Sequence, residues 1–130
     1  MKKPPQSKTQ PWLKEEIEYQ GVTIGIYDYR ALTIDEAILA MEHNAAVLEN
    51  RGETDQRHIL HVTGVTTDKK ALAVCKKVAP VVEPYVYKTA VVGIPSIQHF
   101  FLNFLNSIFK LRIQAFDDLE SAKEWLVLKD

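Results

Sequence analysis

The spacing of apolar residues changes along the chain from the period of a strand to the period of a helix and back again. Alternation at every second residue first predicts a hairpin, with strands over Glu15–Gln20 and Val22–Tyr29 joined by a tight turn at Gln20-Gly21. Helical spacing starts after Thr33, where Glu36 three residues later completes a capping box. This helix is expected to run to the glycine at position 52, which suits a helix stop.

The same two periods recur to the end of the chain. They predict, in order, a strand over Arg57–Val62, a helix capped by Thr67 or Asp68, a strand over Thr89–Ile94, a helix over Ser96–Lys110, a strand over Leu111–Phe116 and a helix over Leu119–Leu126. The order ββαβαβαβα is typical of an α/β protein with right-handed crossovers. We therefore expect a single domain built on a five-stranded mixed sheet that is mostly parallel.

The helix that follows Thr67 separates its apolar residues from its basic residues. Cys75 lies centrally on the apolar stripe, which predicts a buried and unreactive thiol. The opposite side carries four lysines, Lys69, Lys70, Lys76 and Lys77. This basic side either faces solvent or meets an acidic partner, an anionic lipid or phosphate.

The helix over Ser96–Lys110 is apolar over about 200° of its circumference, about twice the stripe that one sheet buries. Leu102, Leu105 and Phe109 lie at the far edge of this surface. In one interpretation a neighbouring helix or the segment at Trp12 covers them. In the other they form an interface, either the self-association surface of a homodimer or the gate of a ligand cavity.

Composition and charge narrow the classes of function. The 130 residues suit one domain, with residues 1–11 predicted to be a disordered tail and residues 12–130 to fold. Sixteen Lys and Arg against seventeen Asp and Glu leave a net charge of −1, which argues against a nucleic-acid partner. One cysteine excludes an internal disulfide, and no apolar run is as long as a membrane span or a signal-peptide core. We expect a cytoplasmic protein without integral membrane association.

Catalytic chemistry has little support among the residues. His58 and His61 are three apart in a predicted strand, so they point to opposite faces and cannot chelate one metal together. Asp117 and Asp118 are adjacent carboxylates, but their position predicts a helix start. The sequence contains no GxSxG, P-loop or GxGxxG motif. We therefore predict a protein that is not an enzyme and that holds neither a metal nor a cofactor.

The loops after the parallel strands are the best place to expect a ligand. In open α/β sheets, ligands bind beyond the carboxyl ends of the strands, near helix N-termini that favour anions. Three segments should gather there, Asp28–Thr33, Thr63–Asp68 and Gly93–Gln98. The candidate ligand-binding residues that they contribute are Arg30, Thr66, Thr67 and Ser96. The expected ligand is small and either apolar or anionic.

Several segments resemble the SpoIIAA-like family, a group of small bacterial proteins related to STAS domains. They are Tyr29-Arg30 before a Thr-capped helix, Val62-Thr63-Gly64-Val65, Ala90-Val91-Val92-Gly93-Ile94, Ala115-Phe116-Asp117-Asp118 and Ser121-Ala122-Lys123-Glu124-Trp125-Leu126. The resemblance covers roughly residues 15–126 and consists of strand cores, helix caps and a tryptophan expected to pack on the sheet beside the final strand.

The resemblance implies a regulatory or ligand-sensing module that acts through a protein partner or a small ligand. In STAS-type anti-sigma-factor antagonists, a Ser or Thr that precedes the helix after the third strand is phosphorylated. The matching residues here are Thr66 and Thr67, although the segment Gly64–Asp68 departs from the family's Asp-Ser-Ser-Gly pattern. The fold has also been compared with CRAL-TRIO lipid-transfer domains, which implies the alternative function of a hydrophobic-ligand or lipid-binding carrier.

Overall fold

A computed structural model of the chain describes residues 15–65, 69–95, 103, 106 and 111–128. These residues contain five strands and three helices: β1 (Glu15–Tyr19), β2 (Val22–Asp28), α1 (Ile34–Arg51), β3 (Gln56–His61), α2 (Lys69–Val82), β4 (Val86–Val92), β5 (Ile113–Phe116) and α3 (Leu119–Leu126). A 3-10 turn, Glu83–Tyr85, joins α2 to β4. The predicted tail over residues 1–11 lies outside the described residues.

The predicted five-stranded mixed sheet of a single α/β domain is confirmed. Its strands lie in chain order, with β1 antiparallel to β2 and the three other pairs parallel. The predicted helix over Ser96–Lys110 lies outside the described residues, apart from Asn103 and Asn106, which are helical. Asn106 holds the start of β5 because its side-chain amide exchanges two hydrogen bonds with the backbone of Ile113, at 2.8 and 2.9 Å.

The ends of the first hairpin and of α1 follow from local sequence chemistry. Gln20 and Gly21 both have positive φ, 53° and 81°, as the tight turn of a two-residue hairpin requires. Thr33 and Glu36 form the predicted capping box, in which each side chain bonds the other residue's backbone N–H. Gly52 ends the helix in the left-handed conformation, at φ 68°.

The strand order decides which elements cover each face of the sheet. Right-handed crossovers between parallel strands that follow one another in chain order all lie on one face. Helices α1 and α2 accordingly pack side by side on the same face, where their neighbours are Tyr27, Tyr29 and Leu60. The opposite face is left for α3, which follows the last strand and needs no crossover.

Helix α3 covers its face of the sheet with a small apolar core. Ala122 and Leu126 are fully buried against three equally buried residues of the sheet, Ile24, Ile59 and Ala90. The expected packing of the tryptophan beside the final strand is confirmed, since the ring centroids of Phe116 and Trp125 are 5.5 Å apart. Asp118 caps the helix by accepting a 2.8 Å hydrogen bond from the Ser121 N–H.

A buried lysine ties α3 to the sheet. Lys88 of β4 is only 1% exposed, and its Nζ donates to the carbonyl oxygens of Trp125 and Leu128, both at 2.9 Å. The ammonium also lies 4.6 Å from the centroid of the Trp125 ring. The last carbonyls of a helix lack partners within the helix and carry its negative end, so a cation is well placed there.

Strand β4 begins at Val86, three residues earlier than the strand predicted from Thr89. The prediction started too late because Lys88 interrupts the apolar pattern. A lysine at a sheet position ordinarily marks exposed structure, but here the carbonyls of α3 satisfy its charge within the core.

A glycine brings two loops together at the carboxyl end of the sheet. Gly93 follows β4 with φ +94°, and a Cβ built on it would lie 2.8 Å from both the Cα and the backbone nitrogen of Thr63. No real Cβ contact is that short, so the loop after β3 can approach the loop after β4 only because residue 93 has no side chain.

We predict that Gly93→Ala lowers the free energy of unfolding by about 3 kcal/mol or more, because left-handed strain and a backbone clash act together. Gly52→Ala is the matched control, since Gly52 also has positive φ but a Cβ there would meet no described atom within 4 Å. It should lose only about 1–2 kcal/mol. Urea unfolding measures both values, and equal losses would show that the approach of Thr63 is unimportant.

We predict that Lys88→Met destabilises the protein by about 2–4 kcal/mol, because the carbonyls of Trp125 and Leu128 lose their charged donor. Lys69→Met removes the same charge from an exposed position at the start of α2 and should change stability by less than about 0.5 kcal/mol. Chemical denaturation of both variants is the measurement. A Lys88 variant as stable as the Lys69 variant would contradict the capping role.

Candidate functional site

A cavity of ≈ 250 Å³ lies between the sheet and the two helices α1 and α2. Most of its described lining consists of Ala, Val, Leu and Ile side chains. The polar and sulfur-containing residues in the lining are Tyr27, Tyr29, Met41, Asn44, His58, Cys75, Thr89 and Arg112. A concave, mostly apolar space with a few polar groups is the usual form of a small-molecule site.

The cavity exists because the helices present small side chains to one another and to the sheet. Ala37 and Ala45 of α1 and Ala71 and Ala79 of α2 are all buried and all line it. Cores usually fill such space with larger side chains, since each missing methylene forfeits dispersion contacts. A row of alanines on both helices therefore leaves room that the described side chains do not occupy.

Two polar side chains meet in the wall of the cavity. Asn44 of α1 and Tyr29, which directly follows β2, are 8% and 5% exposed. The Asn44 Nδ2 donates a 3.1 Å hydrogen bond to the Tyr29 hydroxyl. The Asn44 Oδ1 is buried and has no hydrogen-bond partner among the described residues. Leaving such a group unpaired costs about 1–3 kcal/mol, so the arrangement calls for an explanation.

His58 is a neutral, buried member of the lining. It lies edge-on to Tyr27, with ring centroids 5.1 Å apart, beside Gly25 on the neighbouring strand. Burial lowers the pKa of His58 to about 4, and the positive charge of Arg51 acts in the same direction. Gln56 Oε1, 3.1 Å from Nε2, can only accept, so this nitrogen carries the proton.

Cys75 is half-buried, whereas the sequence predicts a buried thiol. Its thiol contacts the Met41 sulfur at 3.7 Å, and burial raises the pKa of the thiol to about 11. The thiolate, which is the nucleophilic form, is therefore scarce at neutral pH. Cys75 contributes a small apolar surface to the cavity.

A second, more open groove lies at the amino ends of β2 and β3. It is polar, and Tyr27 and His58 line it as well as the apolar cavity, so the pair separates the two spaces. Two of its carboxylates, Glu16 and Glu53, already pair with the Arg51 guanidinium at 4.0 and 3.0 Å. The groove thus resembles a solvated edge of the sheet more than a site that lacks its ligand.

Arg30, a predicted ligand-binding residue, is engaged within its own loop. Its Nε and one terminal nitrogen donate to the two carboxylate oxygens of Asp28, at 2.9 and 2.7 Å. This hydrogen bonding lowers the pKa of Asp28 to about 2. Arg30 is not among the described residues that line the cavity. Its role toward a ligand stays a prediction.

The other predicted site residues lie outside the described residues. They are the ligand-binding and phosphorylation candidates Thr66 and Thr67, the ligand-binding candidate Ser96, and the interface candidates Leu102, Leu105 and Phe109. Two of the loops expected to gather at the carboxyl end of the sheet do so, since Thr63 of one lies against Gly93 of the other.

The basic side of α2 is partly neutralised by α1. Lys70 pairs with Asp35 at 3.6 Å, and Lys77 pairs with Glu42 at 3.2 Å. Three of the four side chains are well exposed and Glu42 is partly exposed, so these pairs contribute little to stability. They do lower the net positive charge that this side would offer to an anionic partner.

Sequence reasoning missed Asn44, and a signal for it existed. Asn44 follows Ala37 by seven residues and Ala40 by four, and it precedes Leu48 by four, so it occupies the middle of the buried stripe of α1. A polar residue at such a position requires a partner when buried. The pattern therefore pointed to a polar contact inside the core, although not to Tyr29 as the partner.

The described residues contain neither a metal-binding cluster nor a membrane-spanning helix, and comparisons add no relative. Across the described residues, no group of three or more His, Cys, Asp or Glu side chains is placed to hold a metal ion. None of the helices in the described ranges is both long and apolar enough to cross a bilayer. Comparison of the chain with family models, with curated proteins and with solved structures found no match.

We predict that the buried neutral state of His58 makes the free energy of unfolding decrease as the pH is lowered. The unfolded chain binds a proton at His58 below about pH 6.5, but the folded protein does so only below about pH 4. The free energy of unfolding is therefore fully retained above pH 6.5 and falls by up to about 3 kcal/mol as the pH drops to 4. Urea unfolding at several pH values between 7 and 4 measures this slope.

Two variants isolate the contribution of His58. His58→Phe keeps an aromatic ring beside Tyr27 and should flatten the slope between pH 6.5 and pH 4. His43→Phe changes a half-buried histidine of α1 and should leave it intact. An unchanged slope in the His58 variant would mean that other groups govern the acid response.

Proposed function

We propose that this protein binds a small, largely apolar ligand in the cavity between the sheet and helices α1 and α2, and that it works by binding and not by catalysis. The observation that carries the proposal is the cavity itself, ≈ 250 Å³ of mostly apolar lining. This function corresponds to the hydrophobic-ligand carrier expected as the alternative from the CRAL-TRIO comparison.

The cavity volume limits the ligand. An apolar cavity of about 150 Å³ accommodates benzene, so ≈ 250 Å³ accommodates about ten non-hydrogen atoms. A two-ring aromatic or a short-chain amphiphile has this size, whereas a long-chain lipid is too large for the described space. The gain comes from replacing an empty or poorly hydrated apolar surface with dispersion contacts.

The finer expectations from the sequence are part of the proposal. They are membership of the SpoIIAA-like family, the full ββαβαβαβα order with a helix over Ser96–Lys110, and a cytoplasmic location. The observed five-stranded sheet, with its single antiparallel pair at the start, supports only the strand part of this order. Regulation through a protein partner rests on Thr66 and Thr67, outside the described residues, and stays a prediction.

We predict that the protein binds naphthalene, which has ten carbon atoms, with a dissociation constant of about 1 mM or tighter. This value needs about 0.4 kcal/mol per atom, which is ordinary for a buried small ligand. Ala45→Leu places three more carbon atoms in the cavity and should weaken binding at least tenfold. Isothermal titration calorimetry measures both affinities.

The neighbouring residue supplies the control. Ala46 is exposed, so Ala46→Leu adds the same side chain to the same helix and should leave naphthalene affinity unchanged. Because Ala45→Leu fills unoccupied space, its melting temperature should equal or exceed that of the wild type. A wild type that binds no naphthalene, or equal weakening by both variants, would reject the proposed site.

A further inference from the structure

Asn44 and Tyr29 form a polar pair inside an otherwise apolar cavity. Both are more than nine-tenths buried, and both line the cavity. Their mutual hydrogen bond, 3.1 Å between Nδ2 and the phenol oxygen, holds the amide against the ring hydroxyl. The pair lies where α1 crosses the carboxyl end of β2, so two separate elements of the fold position it.

The hydrogen-bonding capacity of this pair is only partly used. Asn44 Oδ1 accepts no hydrogen bond among the described residues, although it is buried. Tyr29 accepts from Asn44, and its hydroxyl hydrogen has no described acceptor. Exchanging the amide oxygen and nitrogen does not remove the problem, because the NH₂ group would then be left without an acceptor. One acceptor and one donor therefore remain available side by side.

Among the described residues, the surroundings of the pair carry no charge that could hold an ion. Burial keeps Tyr29 in its protonated form and raises its pKa, and the nearby Cys75 thiol is neutral as well. His58 is neutral, so Arg112 is the one charged side chain in the described lining. Its guanidinium lies over the Tyr87 ring, 4.9 Å from the centroid.

The sheet register separates Arg112 from the pair. Asp28, His61, Val92 and Phe116 are aligned across the four parallel strands, so Tyr29 lies one residue beyond that level. Arg112 lies four residues before Phe116, and therefore before that level. It immediately precedes β5, which is three strands away from β2. The two backbones are therefore about 16 Å apart along the strands and about 14 Å apart across them. A carboxylate bound at the pair would have no compensating charge within reach.

We propose that Asn44 and Tyr29 form a head-group subsite that selects an uncharged hydroxyl on an apolar ligand. The ligand hydroxyl donates its hydrogen to Asn44 Oδ1, and its oxygen accepts the hydrogen of Tyr29. One hydroxyl supplies both missing partners, which a hydrocarbon or an ionised acid of the same size cannot do. The inference deepens the proposed function and rests on it, since it names the ligand class as small apolar alcohols and phenols.

The test compares three probes with the same ring system in the 130-residue chain, namely 2-naphthol, naphthalene and 2-naphthoate. We expect 2-naphthol to bind at least tenfold more tightly than either of the others. If the site held no partners for its hydroxyl, 2-naphthol would bind more weakly than naphthalene, because water solvates the hydroxyl of the unbound ligand. Naphthol fluorescence and calorimetric titration measure the three affinities.

Two variants assign the selectivity to the pair. Tyr29→Phe and Asn44→Leu should each weaken 2-naphthol at least fivefold while naphthalene affinity changes less than twofold. A merely structural role would instead weaken both probes together. The comparison of the three probes in the wild type needs no variant, so it remains decisive if a variant does not fold.

The outcomes separate this inference from the function on which it rests. Equal affinity for naphthalene and 2-naphthol in the wild type would overturn the head-group subsite and leave the apolar site standing. Selectivity that persists in both variants would also overturn it. Failure of both neutral probes to bind would reject the subsite and the proposed function together.

Discussion

Because the five strands lie in chain order, different helices cover the two faces of the sheet. Each right-handed crossover between successive parallel strands returns on the same side, so α1 and α2 are neighbours and share one face. Only an element at the end of the chain can reach the other face without a crossover. The eight-residue helix α3 is that element, and the positions of both the core and the cavity follow from this arrangement.

The small size of α3 explains why a charged residue belongs to the core. A helix of two turns buries little apolar surface, and its last carbonyls need donors. Lys88 supplies two hydrogen bonds from the sheet and places its ammonium over the Trp125 ring. The interaction is local to one end of α3, yet it fixes how the helix lies on β4.

The face that carries α1 and α2 differs, because it offers more space than its described side chains fill. Alanines on both helices keep the backbones close to each other without filling the gap above the sheet. Into this gap point the amide of Asn44 and the hydroxyl of Tyr29, which satisfy each other only in part. An apolar volume with one incompletely paired polar group is a better receptor for a ligand of matching polarity than a filled core would be.

Local sequence patterns determined most of the elements, because their signals act over a few residues. The hairpin turn at Gln20-Gly21, the capping box at Thr33, and the limits of α3 were all predictable from short-range chemistry. The early start of β4 was not, since it depends on carbonyls some forty residues away that accept the Lys88 charge. Gly93 shows the same limit. The apolar pattern predicts a strand that continues through it, but the reason for glycine there is the backbone of Thr63 on another loop.

The candidate site also combines features that local sequence predicts with features that only tertiary packing decides. From the sequence alone, the stripe of α1 is amphipathic, and ligand chemistry is expected at the carboxyl ends of the strands, with Arg30 as a candidate. In the structure Arg30 binds Asp28, and the polar pair lies deeper, between α1 and the end of β2. Periodicity assigns a residue to a face of its own helix, as it did for the apolar stripe of α2 that carries Cys75. Only the packing of α1 and α2 on the sheet decided that the alanines leave a cavity and that Asn44 meets Tyr29, because such contacts join residues that no local pattern relates.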